Sequence, residues 1–148
     1  MKVGEMCSRG VVSVGESASL REVAELMAER HVGAVVIVSK LSTPPRPVGM
    51  ITDRDIVRAQ LEHVADLSRL RVADVMTQSP LTLTDEEALE DAIETLRARG
   101  FRRAPVVNAR GDLVGFVSTD DLIAEVARQL GTLAGLLQRQ SERTGRYS

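Results

Sequence analysis

The sequence predicts an α/β fold built from two copies of one β-α-β-β-α unit. A seven-residue motif occurs twice, as GMITDRD over residues 49–55 and as GFVSTDD over residues 115–121. A single offset of 69 residues also aligns the stretch before the motifs, pairing Val3 with Val72, Leu20 with Leu89 and Val38 with Val107. Two motifs in register, each closing a matched stretch, indicate an internal duplication.

Each copy is predicted to open with a short apolar strand, over residues 11–14 and 81–83, followed by a helix. In the second copy Thr84 is expected to cap this helix, with Glu87 completing a capping box. Apolar residues recur at helical spacing in both copies, as Leu20, Val23, Ala24 and Met27 and as Leu89, Ala92, Ile93 and Leu96. Gly33 and Gly100 are expected near the helix ends.

Two further strands and a last helix complete each unit. The apolar runs 34–38 and 104–107 predict buried strands, and residues 108–112 predict a hairpin turn before a return strand. The helix predicted after each motif carries the apolar residues Ile56, Val57, Leu122, Ile123 and Val126. The first copy has three extra residues in the loop 39–47, which predicts a spacer that protects a sheet edge, or a partner surface.

The two units are expected to pack together, because about sixty residues bury too little surface to be stable alone. We assign residues 1–62 to the first repeat, 70–127 to the second, and 128–148 to a C-terminal helix and flexible tail. The connection 61–70 lacks Gly and Pro and is predicted to be rigid, with side chains available for packing at Leu61, Val64, Ala65 and Leu67.

The C-terminal segment has its own apolar pattern, interrupted by Gly131 and Gly135. The residues at helical spacing are Leu130, Leu133, Ala134 and Leu137. They predict either a packing helix with a frayed end or a surface for self-association or a partner.

Composition excludes several classes of protein. The 148 residues are 43% hydrophobic with no long apolar run, which predicts a globular protein without a membrane span. Neither a secretion signal nor a cysteine pair occurs, since Cys7 is the single cysteine, and this favours the cytoplasm. A net charge of −2 and 2% aromatic residues argue against binding of nucleic acid.

The repeated motif places a hydroxyl at each strand-to-helix turn, Thr52 and Ser118, with Asp55 and Asp121 three residues later. One interpretation is helix capping alone. In the other, each carboxylate accepts hydrogen bonds from the hydroxyls of a ribose, and the helix N-terminus holds a phosphate. Occurrence in both copies, each time after a glycine that permits close approach, favours a ligand.

A phosphate near these motifs needs cations, because the motifs carry four carboxylates, Asp53, Asp55, Asp120 and Asp121. Arg54, Arg102 and Arg103 are the candidates, with His31 a weaker one. The second copy has Arg102 and Arg103 where the first has Gly33 and Ala34. We therefore expect two unequal sites.

The order of elements, the duplication and the two G-x-x-[S/T]-x-x-D segments resemble a pair of cystathionine β-synthase (CBS) domains, the Bateman module, over about residues 1–127. The resemblance implies two units related by a pseudo-two-fold axis and two clefts for adenosine ligands, with AMP favoured and ADP, ATP, NAD or S-adenosylmethionine possible. The ligand-binding residues it implies, together with the motif neighbours, are Thr52, Asp53, Arg54, Asp55, Ser118, Thr119, Asp120, Asp121, Val12, Ser13, Ala34, Val35, Leu81, Thr82, Arg102, Arg103, Ala104 and Pro105.

The sequence favours a binding module over an enzyme. Cys7, His31 and His63 have neither the pattern of a catalytic triad nor metal-ligand spacing, and no P-loop occurs. The resemblance to the free-standing bacterial type, with no partner domain, implies a cytoplasmic sensor that forms a homodimer and regulates a separate protein. The alternative is an interaction module that binds no nucleotide.

Overall fold

The computed structural model describes residues 1–63 and 66–147 and has the predicted α/β architecture. The first half contains helices α1 (Val3–Met6), α2 (Leu20–Arg30) and α3 (Asp53–Glu62) and strands β1 (Ser13–Gly15), β2 (Ala34–Val38) and β3 (Pro47–Thr52). The second half contains a 3-10 helix (Leu67–Arg69), helices α4 (Val72–Val75), α5 (Leu89–Arg99) and α6 (Thr119–Tyr147) and strands β4 (Thr77–Gln78), β5 (Leu83–Thr84), β6 (Arg103–Val107) and β7 (Leu113–Ser118).

The strands form two small sheets, one for each repeat. One has the order β1-β2-β3-β4 and the other the order β5-β6-β7. In both, the first pair is parallel and the second pair antiparallel. The predicted duplication is therefore confirmed at the level of topology and strand direction.

The two repeats exchange their opening segments, a feature that the sequence pattern does not predict. β4 follows α4 at the start of the second repeat, yet it pairs with β3 of the first sheet. Reciprocally, the Ser8 and Phe116 amides each donate to the other's carbonyl, at 2.9 and 2.8 Å, so that residue 8 extends the second sheet.

The hydrophobic cores follow the same exchange. Val72 is fully buried in the core of the first repeat, with Val75 and Met76 packed against that core. Val3 and Cys7 are buried in the core of the second repeat. Each core is therefore completed by side chains from the other repeat, which joins the pair into one module.

The helix that follows the first strand begins differently in the two copies. Ser19 caps α2, and its hydroxyl accepts from the Glu22 amide at 3.1 Å. The predicted capping box at Thr84 forms only in part: the Glu87 carboxylate accepts from the Thr84 amide at 3.4 Å, but Thr84 does not cap α5, which begins after Ala88 and has no side-chain cap. Thr84 instead ends β5, and α1 holds the turn that follows, since the Val3 amide donates to the Glu87 carbonyl at 2.9 Å.

Smaller differences concern the ends of elements. The opening strands begin two residues later than predicted, at Ser13 and Leu83. The left-handed residue that ends α5 is Gly100, with φ of 69°, as expected from a glycine near the helix end. In α2 that position belongs to His31, with φ of 55°, and Gly33 lies beyond it, immediately before β2.

The proline-rich loop contacts the second repeat. The Leu113 amide donates to the Pro45 carbonyl at 2.9 Å, and Arg46 Nε donates to Asp112 Oδ1 at 3.3 Å. Asp112 is buried, and its other carboxylate oxygen accepts from the Asn108 amide group at 3.2 Å. The loop therefore ties the two repeats together.

The connection between the repeats packs only in part. Leu67 and Leu70 lie against the first core, whereas Leu61 is 78% exposed, contrary to its expected availability for packing. Val64 and Ala65 lie outside the described residues.

The last helix of the second repeat and the predicted C-terminal helix are one continuous element, α6. Gly131 and Gly135 do not interrupt it. Leu130, Leu133 and Leu137 are 62%, 58% and 67% exposed, so the prediction of a helix that packs on its own chain is wrong. Within the described ranges, no helix combines the length and the hydropathy needed to cross a membrane.

Candidate ligand-binding site

The first motif forms the junction between β3 and α3. The Thr52 hydroxyl accepts from the Asp55 amide at 3.3 Å, and Asp55 Oδ2 accepts from the Thr52 amide at 2.9 Å. These reciprocal bonds are a capping box. The next residue, Asp53, donates its amide to the Gly33 carbonyl at 3.0 Å, which fixes the junction against the start of β2.

The second motif repeats this geometry between β7 and α6. The Ser118 hydroxyl accepts from the Asp121 amide at 3.2 Å, and Asp121 Oδ2 accepts from the Ser118 amide at 3.1 Å. Thr119 donates both its amide and its hydroxyl to the Arg102 carbonyl, at 2.7 and 2.8 Å. The two junctions are therefore equivalent in hydrogen bonding as well as in sequence.

Capping uses only part of each carboxylate. Oδ2 of Asp55 and of Asp121 accepts the bond from the backbone, and among the described residues no hydrogen bond reaches Oδ1 of either. Both side chains are partly exposed. Each junction thus presents one carboxylate oxygen, Oδ1, in a fixed position, which suits a ligand with hydroxyls, and the positive end of a helix dipole, which suits an anionic group; the amides of Asp53, Arg54, Asp55, Thr119 and Asp121 already donate to groups of the chain.

Arg103 of the second repeat lies near the first junction. A β-carbon placed on Gly33 would stand 3.3 Å from Asp53 Oδ2 and 3.6 Å from Arg103 Nη1. The glycine thus leaves room for a carboxylate of one repeat and a guanidinium of the other. Arg103 has no ion pair within the part of the chain that the structure describes.

The other predicted polar residues are mostly at the surface. The Arg102 carbonyl accepts hydrogen bonds from Thr119, and Arg102 is exposed. The other predicted polar residues that are exposed are Ser13, His31, Asp53, Arg54 and Asp120. Of the predicted site residues, Arg103 and Asp53 lie beside the same backbone position, Gly33, although they come from different repeats. Gly33 itself was not predicted as a site residue.

The apolar residues predicted to line the ligand clefts lie on both faces of each sheet. Val35 and Ala104 are fully buried, and their side chains belong to the two cores, so only their backbone is available to a ligand. Ala34 and Pro105 occupy the adjacent strand positions, with the opposite orientation. Val12, Leu81 and Thr82 are partly buried, and the first two pack against the cores.

The motif glycines serve packing between the repeats. A β-carbon on Gly49 would stand 2.3 Å from the sulfur of Met76, and one on Gly115 would stand 2.4 Å from the sulfur of Cys7. Met76 and Cys7 come from the exchanged opening segments. Another group does approach each of these glycines closely, but that group is a side chain of the other repeat.

The remaining titratable groups concern possible metal ligands and the single thiol. In residues 1–63 and 66–147, no group of three or more His, Cys, Asp or Glu could hold a metal ion. Cys7 is buried, and this burial raises the pKa of its thiol. A raised pKa leaves less of the reactive thiolate at neutral pH.

The fold and its two equivalent junctions define a duplicated domain pair. The sequence profile of the CBS domain matches residues 3–62 and again residues 72–128. These two matches cover more than half of the chain, which therefore belongs to the CBS-domain family as a tandem pair.

Similar proteins include both curated relatives and solved structures. An uncharacterized protein of Methanopyrus kandleri, MK0525, is 29% identical over 83% of this chain, which spans 61% of that relative's length. The CBS domain protein PAE2072 of Pyrobaculum aerophilum, solved in complex with AMP, is 32% identical with a TM-score of 0.75, over 86% of this chain and 99% of that one. CBSX2 of Arabidopsis thaliana, also in complex with AMP, is 29% identical with a TM-score of 0.72, over 88% of this chain and 98% of that one.

Proposed function

We propose that this protein is a regulatory module that binds an adenosine ligand, with AMP as the first candidate. One observation carries the proposal: both junctions hold an aspartate whose Oδ2 is fixed by the backbone while its Oδ1 is left for a ligand. A carboxylate oxygen held in this way accepts a bond from a ribose hydroxyl without losing side-chain entropy on binding.

The AMP complexes of the Pyrobaculum and Arabidopsis proteins support the choice of nucleotide. ADP, ATP, NAD and S-adenosylmethionine share the adenosine group and remain alternative ligands for the same clefts. Residues proposed to contact the ligand are those of the two motifs, Thr52, Asp53, Arg54, Asp55, Ser118, Thr119, Asp120 and Asp121.

The two clefts are proposed to be unequal. Arg103 lies beside Gly33, whereas its counterpart in the first repeat is Ala34, which carries no charge. An arginine with no ion pair among the described residues is available to a phosphate, and a bidentate contact is the strongest that it makes. We expect the cleft next to Gly33 to bind a phosphate-bearing ligand more tightly.

The proposed output is a change of shape or assembly that a separate protein detects, and the expected assembly is a homodimer. No reaction is proposed, because the described carboxylates, hydroxyls and thiol do not converge as an acid, a base and a nucleophile. The free and buried Cys7 suits a reducing compartment such as the cytoplasm.

The test is AMP binding by calorimetry to the wild type and to the Asp55→Ala, Asp121→Ala double variant. Loss of both carboxylates should abolish binding. Ser19→Ala is the matched control, because it removes a helix cap with no place in the motifs and should cost about 1 kcal/mol of stability while leaving binding intact.

The second candidate function is an interaction module that binds no nucleotide. The complete capping boxes favour it, since they give Thr52, Ser118, Asp55 and Asp121 a structural role without a ligand. Under this alternative the wild type does not bind AMP, and the double variant differs from it only in stability.

A further inference from the structure

A small pocket lies where the proline-rich loop of the first repeat meets the hairpin turn of the second. Its volume is about 250 Å³, and its lining consists of Ser42, Thr43, Pro44, Arg46, Arg110 and Asp112. The two segments, 39–47 and 108–112, are equivalent, because each joins a pair of antiparallel strands, β2 to β3 and β6 to β7. Both repeats therefore contribute to this pocket, which we call the loop pocket.

The loop pocket and the two motif junctions lie at opposite ends of the strands. The first residue of β2 pairs with Thr52 of the first motif, and its last residue pairs with Pro47. The first residue of β6 pairs with Ser118 of the second motif, and its last residue pairs with Leu113. Strands of this length span roughly 15 Å. The loop pocket is thus separate from the candidate ligand-binding site.

A buried carboxylate holds one side of the loop pocket in place. Asp112 Oδ1 accepts from Arg46 Nε at 3.3 Å, and Asp112 Oδ2 accepts from Asn108 Nδ2 at 3.2 Å. The side chain of Asp112 is 7% exposed and that of Arg46 is 53% exposed. The carboxylate therefore fixes a partly exposed guanidinium, and the guanidinium balances the buried negative charge.

Several hydrogen-bond donors of the loop pocket have no partner in the chain. Arg46 donates to Asp112 from Nε alone, so the other N–H groups of its guanidinium are free among the described residues. The guanidinium of Arg110 has neither an ion pair nor a hydrogen bond in residues 1–63 and 66–147. The hydroxyls of Ser42 and Thr43 are likewise unpaired within these ranges.

We propose that the loop pocket binds a phosphate group, either as inorganic phosphate or as the end of a phosphomonoester. Arg46 and Arg110 together outweigh the single negative charge of Asp112, and guanidinium groups bind phosphate through paired hydrogen bonds. The two hydroxyls are further donors to phosphate oxygens. The pocket is smaller than the roughly 300–1,000 Å³ of sites for drug-sized ligands, which favours a small anion.

A phosphate in the loop pocket contacts both repeats at once. Ser42, Thr43 and Arg46 belong to the first repeat and Arg110 belongs to the second. Because this set of donors exists only when the repeats are packed together, the anion stabilises the packed pair. Arg46 is already held by Asp112, so binding costs little further side-chain entropy at that residue. The inference does not depend on the proposed nucleotide site.

Amide NMR spectra of the full chain, titrated with sodium phosphate, test the loop pocket. We expect saturable shifts of the Ser42 and Thr43 amides, and no such shifts with sodium chloride at equal ionic strength. Arg110→Ala should weaken phosphate binding about tenfold or more, as expected for loss of charged hydrogen bonds. This variant leaves the pair of Arg46 and Asp112 intact. The matched control is Arg99→Ala, an exposed arginine of α5, which should bind phosphate like the wild type.

Glycerol 3-phosphate distinguishes the two sources of the phosphate group. Saturable shifts with both probes support a phosphomonoester ligand, and shifts with inorganic phosphate alone support the free anion. The Asp55→Ala, Asp121→Ala variant should bind phosphate in the loop pocket like the wild type, which separates this result from the proposed function. The proposal is overturned if neither probe gives saturable shifts, if chloride gives the same shifts, if Arg110→Ala binds like the wild type, or if Arg99→Ala weakens binding equally.

Discussion

The sulfur of Cys7 packs on the backbone of Gly115, so that a β-carbon at residue 115 would stand only 2.4 Å from it. The same position lies 3.0 Å from the carbonyl oxygen of Ser8. Cys7 and Ser8 belong to the opening segment of the first repeat, and Gly115 belongs to the second. At this contact the exchanged segment places backbone, the Ser8 carbonyl, as well as a side chain against the motif glycine, whereas at Gly49 the three nearest atoms all belong to the side chain of Met76.

Gly115→Ala should therefore destabilise the protein by about 1–3 kcal/mol, the usual cost of overpacking. Gly49→Ala should cost less, because its closest neighbour is the flexible side chain of Met76. Urea unfolding measures both. Gly131→Ala, in an open part of α6, is the control and should stabilise by about 1 kcal/mol. Equal effects at residues 115 and 131 would contradict this account of the exchange.

Substitutions at the equivalent starts of α2 and α5 should have opposite effects on stability. Ser19→Ala removes the cap of α2 and should cost about 1 kcal/mol. Ala88 stands at the equivalent position of α5, with no side-chain cap, so Ala88→Ser should stabilise by a similar amount. Thermal unfolding of both variants and of the wild type gives the comparison. A loss of stability in Ala88→Ser would show that the two helix starts are not equivalent.

Arg103→Ala should weaken the binding of AMP about tenfold or more, as expected for loss of a charged hydrogen bond. Binding of adenosine, which has no phosphate, should not change. Calorimetry with both ligands measures the difference. Arg99→Ala is the matched control, because Arg99 is an exposed arginine in the last turn of α5, outside the motifs and the candidate ligand-binding residues. A parallel loss for AMP and adenosine would contradict a phosphate contact by Arg103.

Cys7 should react slowly with a disulfide reagent in the folded protein. Burial hides the sulfur and raises the pKa of the thiol, so the thiolate that reacts is scarce at pH 7 and increases as the pH rises. Unfolding in urea should expose the thiol and speed the reaction by orders of magnitude. Equal rates in folded and unfolded protein would show that the opening segment is not held in the second core.

The sequence predicted those parts of the fold and site that depend on local pattern. The buried strand 34–38, Gly100 at the end of α5 and the hydroxyl-to-aspartate spacing of Thr52 and Asp55 are all short-range features, and each has the expected position. The cap of α5 at Thr84 was wrong: the Thr84–Glu87 segment forms a turn, bonded within itself and to the Val3 and Gly4 amides of α1, and the helix begins only after it.

The exchange of opening segments and the meeting of Arg103 with Asp53 at Gly33 could not be predicted in the same way. Both depend on how one repeat is placed against the other, and neither leaves a periodic signal in the sequence. The glycine of each motif, Gly49 and Gly115, did predict that another group approaches the strand closely. Their partners, Met76 and Cys7, became apparent only from the tertiary structure.

The central claim is that the two repeats together bind an adenosine ligand. The most direct measurement is the melting temperature of the wild type with AMP, ADP, ATP, NAD, S-adenosylmethionine or GTP, each in large excess. A ligand at about a hundred times its dissociation constant should add roughly 2.7 kcal/mol of stability, which is several degrees for a chain of this size. We predict a rise with at least one adenosine ligand and none with GTP; no rise with any of the six would contradict the claim.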